Sequence, residues 1–219
     1  MKAILKSIRP QHTCNILNGL KIIEIDKSAP KEWKDYLSGK TKEKPKPREV
    51  LIYCTKGNKD TCLEYADNPD KTKEGKWVIT SGYPYGNQKV LAKFTLNKVE
   101  EIFFYDNEQV LETSTNTLKE EALLKKCCLS FDDLYEYSNG TSKTIYAWHI
   151  DNLVIFDKQK ELSEFKRPEW EKCGVKDKNG LYQCHKCPYA IHYGHGFGDC
   201  GYDKPLKSPQ SWCYVEEQL

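Results

Sequence analysis

The apolar runs of this chain are short, and that brevity limits what it can fold into. Val50-Leu51-Ile52-Tyr53-Cys54, Trp77-Val78-Ile79-Thr80, Lys89 through Leu96, Ile102 through Tyr105, Lys143 through Ile150 and Leu153 through Phe156 are each bounded by polar or turn-forming residues. Runs of this length, dense in β-branched and aromatic side chains, read as strands. None approaches the roughly 18 apolar residues of a membrane-spanning helix. A 30% share of charged residues points the same way.

The N-terminus organises the rest. Lys2-Ala3-Ile4-Leu5-Lys6-Ser7-Ile8 reads as a strand ending before Pro10, and a helix opened by that proline carries Cys14, Ile16 and Leu17 toward one side. Gly19 stands where a left-handed helix stop is wanted. A half-buried strand follows over Lys21–Asp26, with Ile23 and Ile25 alternating against Glu24 and Asp26. Residues 27–48 read as irregular, and Lys40 through Arg48, with two prolines and alternating lysines, reads as an exposed loop. Helix formers fill 118–127, and Ser130-Phe131-Asp132-Asp133 has the form of a capping box that opens another helix. The expected class is α+β: a small barrel over residues 1–157 with a helical insert around 118–138, and a cysteine-rich segment over 158–219 whose C-terminal strand, Trp212-Cys213-Tyr214-Val215, returns to the barrel.

The N-terminal apolar stretch is broken by Lys6, too early for a signal peptide. A cytoplasmic setting is therefore expected, in which ten cysteines serve as free thiols or metal ligands. Residues 1–60 carry 14 Lys/Arg against 7 Asp/Glu. That basic quarter is compatible with a polyanionic partner and equally with a solvated lysine face.

Ser7-Ile8-Arg9-Pro10, a helix, and then Gly19-Leu20-Lys21-Ile22-Ile23-Glu24-Ile25-Asp26 resemble the Gly-x-Lys-x-x-Glu-x-Arg signature of ASCH domains. Trp148-His149-Ile150 with Leu153, Ile155 and Phe156 looks like the closing part of such a domain. Glu161-Leu162-Ser163-Glu164-Phe165 and Ser211-Trp212-Cys213-Tyr214-Val215 resemble a cysteine-rich subgroup from phages and Firmicutes. The resemblance implies a PUA-like β-barrel with flanking helices, a cleft beside the signature strand, and RNA or a modified nucleotide as partner. Some relatives hydrolyse an acetylated cytidine with a lysine, a threonine and a glutamate, and others are linked to RNA cleavage. Asp26 stands here where the family has arginine, and neither Ile22 nor Glu24 supplies the threonine.

On these grounds Ser7, Arg9, Lys21, Glu24, Lys27 and Tyr85 are the candidate ligand-binding residues, with Lys21 and Glu24 the candidate catalytic pair. On a regular strand Lys21 and Glu24 face opposite ways, so a shared site needs a bulge or a strand end. The bland alternative is an ordinary ion pair, partly exposed, that helps to close the barrel. Trp33, Tyr83, Tyr85 and Trp148 could stack a base or simply fill the core. The function expected first is binding of RNA or a modified nucleotide. A nucleoside amidohydrolase or ribonuclease comes next, and then a phage-encoded protein that contacts a host protein through the acidic stretch Glu100–Glu136.

Near the C-terminus, Cys184-His185-Lys186-Cys187 with Cys173 and Cys200 has the two-residue spacing that holds two corners of a tetrahedral zinc site. His185, His192 or His195 could replace one thiolate, and a redox disulfide or unligated thiols remain as alternatives. With little apolar periodicity from Gly174 to Pro209, structural zinc would act as that segment's core.

Overall fold

The structure, a computed structural model, describes residues 2–56, 61–66, 75–81, 88–105, 110–115, 118–140, 143–167, 206 and 209–217. Twelve strands and four α-helices are assigned among them. In chain order they are β1 (Lys2–Ile8), α1 (Pro10–Leu17), β2 (Ile23–Asp26), α2 (Lys31–Leu37), β3 (Arg48–Cys54), β4 (Thr61–Ala66), β5 (Lys76–Ser81), β6 (Lys89–Leu96), β7 (Val99–Tyr105), β8 (Val110–Thr113), α3 (Glu120–Cys127), α4 (Phe131–Tyr137), β9 (Ile145–His149), β10 (Asp151–Lys160), β11 (Phe165–Lys166) and β12 (Trp212–Glu217). The class is α+β, as the mixture of short β-type runs and two helical patches implies.

Strands β10-β6-β3-β1-β12-β11 form one sheet, β2-β9-β7-β8 a second, and β4-β5 a separate ribbon. Only β1 and β3 run parallel within the first sheet. Strand β1 lies inside that sheet and is buried on both faces: Ile4 and Ile8 join one apolar cluster, while Ala3 and Leu5 join another. This explains its apolar density, since a central strand must satisfy two layers.

The sheets are joined along one side by a bent double strand. Strand β6 continues into β7 and β9 into β10, and each partner stays paired through the corner, β6 with β10 and β7 with β9. Asn152 takes a positive φ of 48° just past the bend, near the Asp151-Asn152 break expected from sequence. Among the described residues no backbone ladder closes the opposite side, so the expected barrel is instead two open sheets sharing a corner. The unclosed side is where the cavity lies.

One expectation needs correction. Residues 27–48 are not irregular throughout, because α2 occupies Lys31–Leu37 and buries Trp33 to 2% exposure. Its face of Trp33, Tyr36 and Leu37 packs on the main core, and Gly39 ends it at a φ of 73°. The apolar stretch over 89–105, long enough for one bent strand or two in series, forms two, β6 and β7. The capping box of α4 is present as read, with Ser130 Oγ accepting from Asp133 N and Asp133 accepting from Ser130 N.

The expected zinc ligands Cys173, Cys184, Cys187 and Cys200, and Tyr83 and Tyr85, lie outside the described residues. Among the described residues no group of His, Cys, Asp and Glu is arranged to hold a metal, and no helix is long and apolar enough to cross a membrane.

Candidate functional site

Lys21 reaches its place because Gly19 breaks the helix before it. Gly19 adopts a φ of 70°, and the N–H groups of Leu20 and Lys21 both bond Asn15 O, which folds the chain back over the end of α1. Regular strand begins only at Ile23. Lys21 therefore sits before the strand, at the irregularity a shared site requires, and its ammonium lies 3.3 Å from Glu24 Oε2. The same nitrogen donates to Cys127 O at 2.6 Å, the carbonyl end of α3, where a cation is favoured by the helix dipole.

This pair is buried rather than partly exposed: the side chains of Lys21 and Glu24 are 1% and 10% accessible. Glu24 Oε2, though ion-paired with the ammonium, accepts no hydrogen bond among the described residues. Two residues on, Asp26 shares Glu24's face of β2 and has an ammonium of its own, Lys6 from β1. Ser211 Oγ also donates to Asp26, and Ser28 N donates to its Oδ1 at 2.9 Å. Asp26 thus adds no bare negative charge, and the residue that neutralises it is Lys6.

Lys6 is a residue that sequence reasoning missed. It occupies the strand position between Ile4 and Ile8, both buried, so strand alternation places its side chain inward. A lysine on the apolar face of a strand was the signal. Its ammonium sits 4.8 Å from the Trp148 ring centroid. Trp148 is fully buried beneath it, packed on Trp212 and donating from Nε1 to Ser28 O, so it supports the site as core and does not offer a face to a base. Trp33, also buried, is likewise unable to stack on a ligand.

Above these pairs lies a cavity of about 510 Å³ between the C-terminal end of β1, strand β2, the first turn of α1 and helix α4. Ser7, Arg9, Lys21, Glu24 and Lys27 all line it, and so do Lys6, His12, Asp26, Asp133 and Tyr137. Four buried side-chain polar atoms lack a partner among the described residues, and three belong to this lining: Ser7 Oγ, His12 Nδ1 and Glu24 Oε2. A buried polar atom without a partner costs about 1–3 kcal/mol, so three in one hollow mark a place where something else supplies the bonds.

His12 and Tyr137 set the electrostatics of the lining. Burial lowers the His12 pKa; Glu24 opposes the shift, and Lys21 and Arg9 reinforce it, so the imidazole is neutral at neutral pH. Burial, with the Asp26 and Glu24 charges, pushes the Tyr137 phenol up to about 12. Lys27 lies 4.4 Å from the Tyr137 ring centroid at the rim. His12 lies three residues beyond Arg9 and four before Ile16, a helical spacing that places it on the inner side of α1.

A larger hollow of about 900 Å³ lies at the other end of the first sheet, lined by α2 and the loop from Lys40 to Glu49. Its lining is charged and contains none of the unpartnered buried atoms. His149 lies on β9 with Nε2 2.5 Å from Glu100 Oε2. Glu100 itself is fully buried, so the acidic stretch that it begins is not a continuous contact surface.

The fold and this site define an α+β protein with a charge-lined cavity on the open side of two sheets. No model of a known family matches the chain, and neither does any curated protein. Among solved structures it is similar to the crystal structure of ASCH from Zymomonas mobilis, with 14% identity and a TM-score of 0.41 over 80% of this chain and 81% of that one. At that degree of overlap it is the cavity that speaks to function.

Proposed function

We propose that this protein binds a nucleotide, free or as part of an RNA, in the cavity beside β2. The observation that carries the reading is the set of unpartnered buried atoms, Ser7 Oγ, His12 Nδ1 and Glu24 Oε2, facing a hollow of about 510 Å³. Hollows of roughly 300–1,000 Å³ suit small ligands, and a few convergent polar groups set their orientation. Arg9 and Lys27, both exposed, place positive charge at the rim for a phosphate. Tyr137 adds an aromatic ring to the lining.

The test is titration of a fluorescent mononucleotide and a short single-stranded RNA, each at several salt concentrations. Binding of both, with affinity for the RNA falling steeply as salt rises, is the expected result. The double substitution Arg9→Ala, Lys27→Ala should weaken both without unfolding the protein, because these side chains are exposed. Equal affinity in that variant would remove the rim from the proposal, and no binding by either probe would remove the proposal itself.

A second reading, hydrolysis of an acylated nucleoside, is favoured by one feature, the sheltered Lys21–Glu24 pair. Glu24 would take a proton from water as its oxygen bonds the acyl carbon and the carbon–nitrogen bond breaks. The proton would then pass to the leaving amine, while the Lys21 ammonium holds the Glu24 carboxylate in place. Turnover of an N-acyl nucleoside, abolished by Glu24→Gln, is the measurement that separates this reading from binding alone.

A zinc centre on Cys173, Cys184, Cys187 and Cys200 belongs to the same proposal, supported by the ligand spacing. Metal analysis of the purified, reduced chain should find about one zinc per molecule.

A further inference from the structure

The lining of the cavity is unequal in what it can offer a ligand. Glu24, paired with the Lys21 ammonium, can only accept hydrogen bonds, and its Oε2 is buried without one. Ser7 Oγ and His12 Nδ1 can adapt: a hydroxyl rotates, and a neutral imidazole chooses its tautomer. The other buried charges are occupied, Lys6 with Asp26, and Lys21 with Cys127 O and Glu24. Among the described residues, the inner group of fixed polarity that is ion-paired but accepts no hydrogen bond is thus an acceptor, whereas the exposed groups Arg9 and Lys27 at the rim are donors.

That polarity orients a nucleotide. Resting on the reading above, we propose that the cavity takes an amino-bearing nucleobase head first, its exocyclic N–H groups directed at Glu24 and its phosphate left at the Arg9 and Lys27 rim. A base with a carbonyl in place of the amine brings a second acceptor toward the carboxylate. In the same pose neither oxygen is satisfied, and the analogue can offer its ring N–H instead only by shifting within the cavity, so a site shaped to bond the exocyclic N–H disfavours it. His12 and Ser7 accommodate the ring edge beside the amine and do not set the preference.

The experiment compares two matched pairs of mononucleotides by calorimetry, AMP with IMP and CMP with UMP, on the full chain. Each pair differs by an amine exchanged for a carbonyl and, beside it, an acceptor ring nitrogen exchanged for a ring N–H. The amino member should bind about 10- to 100-fold tighter in both pairs. In Glu24→Gln, whose amide offers a donor of nearly the same size, that ratio should collapse toward unity.

Equal affinities within each pair for the wild-type protein would overturn this orientation while leaving nucleotide binding intact. A preference for IMP and UMP would overturn it as well. A preference that survives unchanged in Glu24→Gln would remove Glu24 as its origin. No binding by any of the four sinks both this inference and the function on which it rests. Should Glu24→Gln fail to fold, the wild-type ratios alone decide.

Discussion

Two buried glutamates, one in each half of the second sheet, have opposite fates. Glu100 on β7 is fully buried and takes hydrogen bonds from His149, Thr115 and Lys98. Burial opposes its charge, yet those bonds win and hold its carboxyl well below the usual carboxylate range. Glu24 on β2 is almost as buried but faces a hollow with one oxygen unpartnered. A satisfied network rigidifies a fold, whereas an unsatisfied one costs stability unless a ligand completes it. The same residue type is structural in one place and a binding group in the other, and the number of donors around it makes the difference.

The comparison can be broken most directly at Glu100. Glu100→Ala leaves His149 and Lys98 beside a vacated site and should cost about 3–5 kcal/mol in urea unfolding, with nucleotide affinity unchanged. Acid should show the same contrast. A depressed native pKa means that Glu100's contribution is present above its unfolded pKa of about 4.3 and is lost as pH falls through the native value. Glu100→Gln should therefore flatten the acid limb of the stability curve. An unaltered acid limb would show that other carboxylates govern it.

Tyr137→Ala should act the other way, with little effect on stability and a loss of affinity worth about 1–3 kcal/mol if the ring stacks on the base. Ser211→Ala removes one donor from Asp26 while leaving Lys6 and Ser28 N, and a cost of about 1 kcal/mol is expected. The smallest effect concerns His12. Because its pKa is lowered, binding should be level from pH 8 down through pH 6.5 and change only in more acid solution. A midpoint above pH 6.5 would show that another group is titrating.

Much of the framework was legible along the chain. The first strand, the helix opened by Pro10, the stop at Gly19, the capping box at Ser130 and the returning strand at Trp212 are all local devices, written in adjacent residues. Helix α2 was not read because its seven residues, sitting between Pro30 and a lysine-rich loop, carry a weak pattern and depend on Trp33 finding the core. Ser7, Arg9, Lys21, Glu24 and Lys27 were named from a signature along the strand, and the structure gathers them at one hollow. Lys6 and His12 join them from the same N-terminal stretch and Tyr137 and Ser211 from two remote ones, and only Lys6 left a trace, as a charge within an apolar alternation.

By itself the sequence determined the element types, the glycine that lifts Lys21 out of strand register, and the nearness of Lys21, Glu24 and Asp26 along one segment. Which lysine faces which carboxylate was decided by the tertiary structure, because β1 and β2 meet across the open side of two sheets with no backbone ladder to announce it. The difference is physical: propensity and capping act over a few residues, whereas the pairing of Lys6 with Asp26, and the exposure of Glu24 to an empty space, depend on packing between segments far apart in the chain.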